Sequence, residues 1–388
     1  MKSLWSATAP SVVPTPALRE SVKVDVAIVG AGYTGLSTAL HLAERGVSVC
    51  VLEANEPGWG ASGRNGGQVN PTLKYDPEQL VQMFGPERAE PLISTVSSSA
   101  DLVFKLIEKH GIDCAPVRKG WMQVSYTEKG VAGLHARADQ WARRGVPVQR
   151  LDASTVASRM GSDAFAGGWL DGRAGAIQPL AYARGLVGAA LAAGVRIHGQ
   201  SAVTDLRRQG AGWQLQTASG ARVMADQVVL ATNGYSGNLW PGMAQSVLAA
   251  NSFIVATTPL SGSVAERILP GQETVSTAQR LLLYFRKDRL GPLQFEYRWA
   301  GRIAITRDFM PHVHQPAPGL TLALGCNGRG IALCTSLGQQ LAGKLCDSQA
   351  EFAYPVTPLQ RLPMHGLQRF YIGAGVAWYS LLDRLNIV

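Results

Sequence analysis

One stretch near the N-terminus restricts the fold more than any other part of this 388-residue chain. It reads VDVAIV, then GAGYTG, then LSTALHLAERG, then VSVCVL, and it ends at Glu53. The two apolar runs are rich in β-branched residues and predict buried strands, and the apolar residues between them recur at helical spacing. A strand, a glycine-rich turn, a helix and a second strand form the βαβ unit of a parallel sheet. The sequence therefore predicts a doubly wound α/β domain.

The glycine pattern inside this unit predicts that the domain binds a dinucleotide. Gly30 makes the tight turn, Gly32 lets a pyrophosphate approach the backbone, and Gly35 lets the helix pack closely on the strand. The helix that follows presents free N–H groups and a positive dipole to the phosphates. Glu53 can accept both ribose hydroxyls, and its charge disfavours the 2′-phosphate of NADP. A bare GxGxxG is weak, but the full order of elements makes the motif specific.

A second glycine-rich stretch, GASGRNGGQ, begins seven residues after Glu53. Glycine costs backbone entropy, so such a run indicates either a hard turn or close contact with a ligand. Ser62 offers a hydroxyl and Arg64 a charge that cannot be lost. In the alternative, the stretch is an ordinary surface loop in which Asn65 and Gly66 turn the chain.

The composition excludes several classes of protein. With 46% hydrophobic and 16% charged residues, the chain is globular, and its length suggests more than one domain. The net charge of +9 comes from scattered Lys and Arg, which disfavours nucleic acid and mildly favours an anionic cofactor or substrate. No apolar run is long enough to span a membrane, and MKSLWSATAP lacks a secretory core, so we expect a cytoplasmic protein. Five cysteines without a CxxC pair predict buried free thiols and no metal site.

Further segments extend the pattern along the chain. They are AGAIQPLAYARGL, VVLATNGYS, EYRWAGRIAITRD, GCNGRGIAL and the tail VAWYSLLDRL. With the two glycine-rich stretches, their order resembles the D-amino-acid oxidase superfamily of FAD-dependent amine oxidoreductases. Within it, the sequence is similar to the branch of γ-glutamylputrescine oxidoreductases and bacterial L-pipecolate oxidases. The resemblance spans nearly the whole chain.

This resemblance implies a Rossmann-type FAD-binding domain with an inserted mixed-sheet α+β substrate domain. The FAD-binding domain would be assembled from residues 20–75, 150–240 and 315–388. Residues 76–149 and 241–314 would form the substrate domain and the helices that bridge the two. The helical patterns DPEQLVQMF and SADLVFKLIEKHG belong to the bridge.

The resemblance also assigns cofactor-binding residues. The adenosine and pyrophosphate would lie against one group, a second would pass beside the pyrophosphate and the isoalloxazine ring, and a third would close the pyrimidine end of the flavin. The first group is Gly30, Gly32, Tyr33, Thr34, Gly35, Glu53, Ala54 and Val203; the second is Gly60, Ala61, Ser62, Arg64, Asn65, Gly66, Gly67 and Gln68; the third is Asn233, Gly325, Asn327, Gly328, Gly330 and Ile331. Relatives that tether the flavin use a His or Cys that this sequence lacks at the matching places, so non-covalent FAD is expected.

The implied reaction is oxidation of a C–N bond in an amine or imino acid, by hydride transfer to flavin N5. Electrons would pass to O2 or to a quinone-type carrier. Arg64 and the helix that begins near Gly330 are candidates for stabilising charge on the reduced flavin. Glycine oxidase-like relatives bind the substrate carboxylate through the arginine of a W-x-G-x-R segment. In this chain Ile303 occupies the position of that arginine, and Arg302 comes one residue earlier. A shift of one residue along a strand turns the Arg302 side chain to the other face. Tyr284 is a candidate for the substrate pocket.

One departure from the family concerns the link RLGPLQ, residues 289–294. Family members have a glycine-rich strand, a loop and a helix there, and in sarcosine oxidase-like relatives that strand brings a lysine over the flavin to activate oxygen. An FAD-binding protein with impaired or no activity, because of the shortened 284–297 region, is therefore one alternative. A nicotinamide-linked dehydrogenase is another, although it leaves GASGRNGGQ and GCNGRG unexplained. The tail from Arg369 allows peripheral membrane contact or docking onto the protein itself.

Overall fold

The computed structural model describes residues 3–260, 262–279, 283–285 and 295–384. Its α-helices are α1 Leu4–Thr8, α2 Tyr33–Ala43, α3 Pro77–Phe84, α4 Pro86–Ser97, α5 Ser99–Lys109, α6 Glu128–Ala142, α7 Ala153–Met160, α8 Pro179–Ala192, α9 Gly262–Arg267, α10 Gly330–Cys346 and α11 Gln368–Arg384. Its strands are β1 Val22–Val29, β2 Val49–Leu52, β3 Gln68–Val69, β4 Trp121–Ser125, β5 Val148–Asp152, β6 Gly167–Asp171, β7 Gly175–Ala176, β8 Arg196–His198, β9 Val203–Gln209, β10 Gly212–Thr217, β11 Arg222–Leu230, β12 Leu248–Thr257, β13 Thr274–Thr277, β14 Tyr284–Phe285, β15 Phe295–Ile305, β16 His312–Ala317 and β17 Leu320–Leu324.

The predicted βαβ unit lies at the centre of an eight-stranded sheet. The main path of this sheet runs β16-β17-β11-β1-β2-β8, with β10 and β9 added beside β11. β1 is parallel to both β2 and β11. Because side chains alternate along a strand, Val26 and Ile28 face one hydrophobic core and Ala27 and Val29 face another. α2 covers the first face, where it packs against α8 and α10.

The second large sheet is mixed, as predicted. It has five strands in the order β14-β13-β4-β6-β5. β13 and β4 run parallel, whereas the other neighbours are antiparallel. α6 packs on β4, β5 and β6. The helices α3, α4 and α5 connect this sheet with the first one, in the region expected to bridge the domains.

Two of the predicted domain boundaries do not coincide with the points at which the chain passes from one sheet to the other. The boundary at residue 150 is too early, because β5 and β6 pair with each other and β6 pairs with β4, which places both strands in the five-stranded sheet. The boundary at residue 315 is slightly late, because β16 begins at His312 and pairs with β17 in the eight-stranded sheet. Local strand patterns do not reveal which sheet a strand joins, since that depends on its distant partner.

A separate two-stranded ribbon, β12–β15, lies beside the first sheet. Its antiparallel register places Ile254 opposite Trp299 and Phe253 opposite Ala300. Trp299 is buried, whereas the Phe253 side chain is 80% exposed. One face of the ribbon is therefore covered and the other faces solvent.

Candidate active site

The glycine fingerprint packs as the sequence predicts for a turn that brings helix and strand together. Gly30 has φ +106°, and a Cβ there would lie 2.9 Å from the Ala231 carbonyl oxygen. A Cβ on Gly35 would lie only 2.0 Å from the Gly30 carbonyl oxygen. Gly32 is the N-cap residue of α2, and no side chain of its own closes this helix end. The first turn of α2 therefore presents its N–H groups beside Ser62, whose Oγ lies 2.9 Å from a Cβ added at Gly32.

Glu53 lies at the carboxyl end of β2, beside this turn. Its carboxylate accepts the backbone N–H groups of Ala31 and Asn55, both at 2.9 Å. These bonds fix the orientation of the carboxylate, and the side chain remains half-buried. Ala54 is exposed, and Val203 begins β9 at the edge of the same sheet.

The stretch GASGRNGGQ folds back onto the first turn of α2. The Tyr33 N–H donates to Ser62 Oγ at 3.1 Å, and the Tyr33 hydroxyl donates to the Ser62 carbonyl at 2.6 Å. Burial raises the pKa of Tyr33 well above its ordinary value, so the hydroxyl keeps its proton and acts as a donor. Gly60 lies against the ring of Tyr235, since a Cβ added at Gly60 would be 3.1 Å from Tyr235 Cε2. The stretch is thus a fixed part of the glycine-rich surface.

Asn65 and two tryptophans hold the middle of this stretch. Asn65 Nδ2 donates to the Ser62 carbonyl at 2.8 Å, and Asn65 Oδ1 accepts the Gly67 N–H at 2.9 Å. Trp299 Nε1 donates to the Arg64 carbonyl at 2.9 Å, and Trp5 Nε1 donates to the Asn65 carbonyl at 2.7 Å. The role of Trp5 was missed in the sequence, because a five-residue N-terminal helix has no long apolar pattern.

The end of the stretch reaches the five-stranded sheet. Gln68 Nε2 donates to the carbonyls of Val275 at 3.1 Å and Phe285 at 3.3 Å. Tyr284 lies directly over Gly66, where an added Cβ would lie 2.6 Å from its Cε2. The Tyr284 hydroxyl also forms a 2.7 Å hydrogen bond with Ser252. The predicted flavin loop and the predicted pocket residue Tyr284 are therefore neighbours.

The third predicted group lies in the turns after β11 and β17. Asn233 and Asn327 both have positive φ, +46° and +48°. Asn233 Oδ1 accepts the Gly325 N–H at 3.0 Å, and Asn327 Oδ1 accepts the Thr306 N–H at 3.0 Å. These amides join the two turns to each other and to the end of β15. The two amide side chains therefore fix the conformation of the turns.

The remaining members of the third group sit at the start of α10. Gly328 is exposed, and a Cβ added at Gly328 would lie 3.8 Å from Ile303 Cδ1. Gly330 is the first residue of α10, and Ile331 is buried in the core under it. The N-terminus of this helix therefore opens next to β15.

Arg64 and Arg302 stack on aromatic rings. The Arg64 guanidinium lies 4.3 Å from the centre of the Trp59 ring, and Arg64 Nε donates to the Trp59 carbonyl at 2.8 Å. Arg302 lies 5.3 Å from the centre of the Tyr235 ring, which in turn contacts Trp59 at 5.5 Å. Arg302 is exposed, whereas its neighbour Gly301 faces Arg64. Gly301 and Arg302 thus lie on opposite faces of β15, and the expectation that Arg302 does not bind the substrate carboxylate stays a prediction.

Residues 25–294 match the family described as FAD dependent oxidoreductase. The chain belongs to this family. It is 31% identical to the gamma-glutamylputrescine oxidoreductase of Escherichia coli K12 over 424 aligned positions, which cover 99% of each chain. It is 26% identical to the glycine oxidase of Geobacillus kaustophilus, with 87% of this chain and 96% of the relative covered. The resemblance drawn from the sequence is confirmed.

Solved structures show the same fold. The crystal structure of glycine oxidase from Geobacillus kaustophilus superimposes with a TM-score of 0.71 at 23% identity, covering 88% of this chain and 99% of that one. The L-proline dehydrogenase of P. horikoshii gives a TM-score of 0.68 at 17% identity, covering 86% and 96%. The predicted combination of a Rossmann-type domain with a mixed-sheet domain is confirmed.

FAD is the cofactor of this family, and the glycine-rich surface fits it. The close approaches at Gly30 and Gly35 seat the N-terminus of α2 tightly at the end of β1, and Gly32 at this helix end has no side-chain cap of its own, which is the arrangement that a dinucleotide-binding turn requires. The family match removes the nicotinamide-linked alternative. The assignment of individual contacts to parts of the FAD molecule stays a prediction.

Three further observations concern other expectations. Within the described ranges, no group of three or more His, Cys, Asp and Glu side chains is placed to hold a metal ion. No described helix combines the length and apolarity that crossing a membrane requires. The five cysteines are free, but they are not all buried as expected, because Cys346 is exposed at the end of α10.

Proposed function

We propose that this protein oxidises a C–N bond of a carboxylate-bearing amine or imino acid, with γ-glutamylputrescine and L-pipecolate as the substrates to test first. The proposal is supported above all by the position of GASGRNGGQ, which extends from the helix N-terminus of α2 to the five-stranded sheet. One end of the stretch bonds to Tyr33 and the other to Val275 and Phe285. A flavin held by this stretch would have its ring at the junction of the two sheets, where a substrate can reach it. The likeness to a gamma-glutamylputrescine oxidoreductase supports the substrate class.

FAD supplies the chemistry when bound, by accepting a hydride from the C–H bond next to a neutral amine. The residues of this chain then have positioning roles. Tyr284 stays protonated, because burial raises its pKa, and its ring rests on Gly66. The α10 N-terminus directs a positive dipole at the site and favours negative charge there. Arg64 contributes a permanent positive charge beside the stretch, although its guanidinium stacks on Trp59.

The shortened region favours a second candidate, an FAD-binding protein with little or no turnover. The alignment with the gamma-glutamylputrescine oxidoreductase has 424 positions, more than the 388 residues here, so the relative has residues without a counterpart in this chain. RLGPLQ itself lies outside the described residues. Next to it, β14 pairs with β13 at the edge of the five-stranded sheet. A loss of substrate-side structure would leave FAD binding intact and reduce oxidation.

The electron acceptor is proposed to be oxygen or a quinone-type carrier. Helix α11 supports a carrier at a membrane surface, since it turns Phe370 and Trp378 to solvent at 78% and 58% exposure. Aromatic side chains of this kind are enriched at membrane interfaces. Arg369 is also exposed on this helix and suits anionic headgroups.

The test is a visible spectrum of the purified protein, recorded without oxygen while amines are added. Bleaching of the flavin by γ-glutamylputrescine or L-pipecolate is the expected result, and readmission of oxygen or addition of a quinone then identifies the acceptor. A flavin that stays oxidised with every amine supports the binding protein with little turnover. A protein that takes up no FAD contradicts both proposals.

A further inference from the structure

Two cysteine thiols face the same gap at the start of α10. Cys326 lies in the turn before this helix, and Cys334 lies about one helical turn after Gly330, the first residue of the helix. A Cβ added at Gly330 would lie 3.9 Å from each of the two Sγ atoms, so the sulfur atoms are at most twice that distance apart. Gly330 contributes no side-chain atom to the space between them. Helical side chains lean towards the N-terminus, which directs Cys334 back to this gap.

The two thiols have different surroundings. Cys326 is half-buried, and its Sγ accepts a hydrogen bond from Asn233 Nδ2 at 3.1 Å. The turn also precedes the N-terminus of α10, where the helix dipole favours negative charge. Both features stabilise a thiolate, which is the form of cysteine that oxidants attack. Burial raises the pKa of the Cys334 thiol to about 12, so Cys334 keeps its proton.

The other cysteines are placed differently. Cys50 and Cys114 are buried, and burial raises the pKa of each thiol to about 12. Thiols of this kind react slowly with oxidants. Cys346 is exposed, but it ends α10, and sixteen residues of helix separate it from Gly330. Cys346 is therefore a control for the reactivity of a thiol on the same helix.

We propose that Cys326 and Cys334 form a modification site that hydrogen peroxide oxidises to a disulfide. The Cys326 thiolate attacks one peroxide oxygen, the O–O bond breaks, and the departing hydroxide takes up the proton that the thiol gave up and leaves as water. The Cys334 sulfur then attacks the Cys326 sulfenic acid, the S–O bond breaks, and the Cys334 proton leaves with the hydroxyl group as water. The two thiols lose two electrons in all, and one peroxide becomes two waters.

Formation of this disulfide changes the turn that contains Cys326. Asn233 holds the turn by two bonds, since its Oδ1 accepts the Gly325 N–H at 3.0 Å and its Nδ2 donates to Cys326 Sγ. A disulfide sulfur lies about 2 Å from its partner, so Cys326 must move towards Cys334 and away from Asn233. The turn is predicted to close the pyrimidine end of FAD. Loss of the Asn233 bond should therefore weaken FAD binding about two- to tenfold.

The experiment maps disulfides in the FAD-loaded protein after an excess of hydrogen peroxide, with no amine present. Free thiols are alkylated, and the denatured protein is digested with trypsin, which cuts after Arg329. Cys326 and Cys334 then lie on separate peptides, residues 308–329 and 330–344. We expect the two peptides to remain joined, with two hydrogen atoms lost, and to separate when dithiothreitol is added. Peptides that separate without a reductant, or a disulfide from Cys334 to another cysteine, overturn the proposal.

Three variants test the order of the two steps. Cys334→Ser removes the second thiol and should leave Cys326 as a sulfenic acid that dimedone labels. Cys326→Ser should leave Cys334 reduced, and Cys346→Ser should form the same disulfide as the wild type. A Cys334→Ser protein in which dimedone labels Cys346 but not Cys326 overturns the proposed reaction. The peptide map of the wild type decides on the disulfide even if a variant does not fold.

The effect on the cofactor is measured by fluorescence titration with FAD before and after oxidation. The peroxide-treated wild type should bind FAD about two- to tenfold more weakly, and dithiothreitol should restore the affinity. Cys326→Ser should keep its own FAD affinity through the same treatment. Equal affinity of the reduced and oxidised wild type overturns the link between the disulfide and the turn. Because peroxide is added and no amine is oxidised, these results do not depend on the proposed function.

Discussion

Replacement of Gly35 by alanine tests whether the fingerprint glycine is required by packing inside the protein. A Cβ at this position would lie 2.0 Å from the Gly30 carbonyl oxygen and 3.3 Å from Ile28 Cγ2. Non-bonded carbon and oxygen atoms are comfortable at about 3.5 Å, so α2 must move away from β1 by roughly 1 Å or more. Because Gly30 contributes backbone, no side-chain rotation relieves the clash.

Two effects of opposite sign set the magnitude. Inside a helix, alanine is more favourable than glycine by about 1 kcal/mol. Overpacking of a tight interior costs about 1–3 kcal/mol, and a clash with backbone belongs at the upper end of that range. The free energy of unfolding of Gly35→Ala should therefore fall by about 2 kcal/mol. FAD affinity should fall as well, because the shifted helix carries its N–H groups away from the phosphates.

Gly188→Ala is the matched control, since Gly188 is also inside a helix, α8, and nothing lies within 4 Å of an added Cβ. It should stabilise the protein by about 0.5–1 kcal/mol and leave FAD content unchanged. Denaturant unfolding of the FAD-free proteins measures packing alone, and flavin absorbance of the purified proteins measures FAD content. If Gly35→Ala is as stable as Gly188→Ala and retains full FAD, the packing argument is refuted.

Three further predictions concern other parts of the molecule. Glu53→Gln should weaken FAD binding about tenfold. The carboxylate accepts two backbone N–H groups, and the amide that replaces it would place an N–H donor opposite one of them. A fluorescence titration that gives wild-type affinity for FAD contradicts this prediction. Burial lowers the pKa of His41 below its ordinary 6.5, so the unfolded chain binds a proton that the folded protein does not, and stability should be complete above pH 6.5 and decline as the pH falls below it. His41→Gln should make that decline shallower in thermal unfolding scans, and an unchanged slope counts against His41. Replacement of Phe370 and Trp378 by serine should reduce pelleting with anionic vesicles, whereas a wild-type protein that stays in the supernatant removes the membrane role of α11.

The features that the sequence predicted well are those set by neighbouring residues. The run from β1 through α2 to β2 follows from short-range periodicity and glycine placement. The position of GASGRNGGQ next to α2 follows from its distance after Glu53 and from the family resemblance. Features that depend on distant partners were not predicted. Trp5 bonds to the Asn65 carbonyl across sixty positions of sequence, and β6 joins β4 rather than the sheet expected for residues after 150.

The β12–β15 ribbon links the substrate side of the protein to the FAD stretch. A two-stranded ribbon is marginally stable by itself, and the outward face of this one is uncovered at Phe253, which is 80% exposed. Its inner face is therefore what holds it, through the edge-to-face contact of Trp299 with Trp5 at 5.8 Å and the bond from Trp299 to the Arg64 carbonyl. Those same two tryptophans bond to the carbonyls of Arg64 and Asn65, so the ribbon and GASGRNGGQ share one set of contacts. Any ligand that orders this stretch must also stabilise the ribbon, because the two cannot separate without breaking the bond from Trp299 to the Arg64 carbonyl and the contact of Trp299 with Trp5.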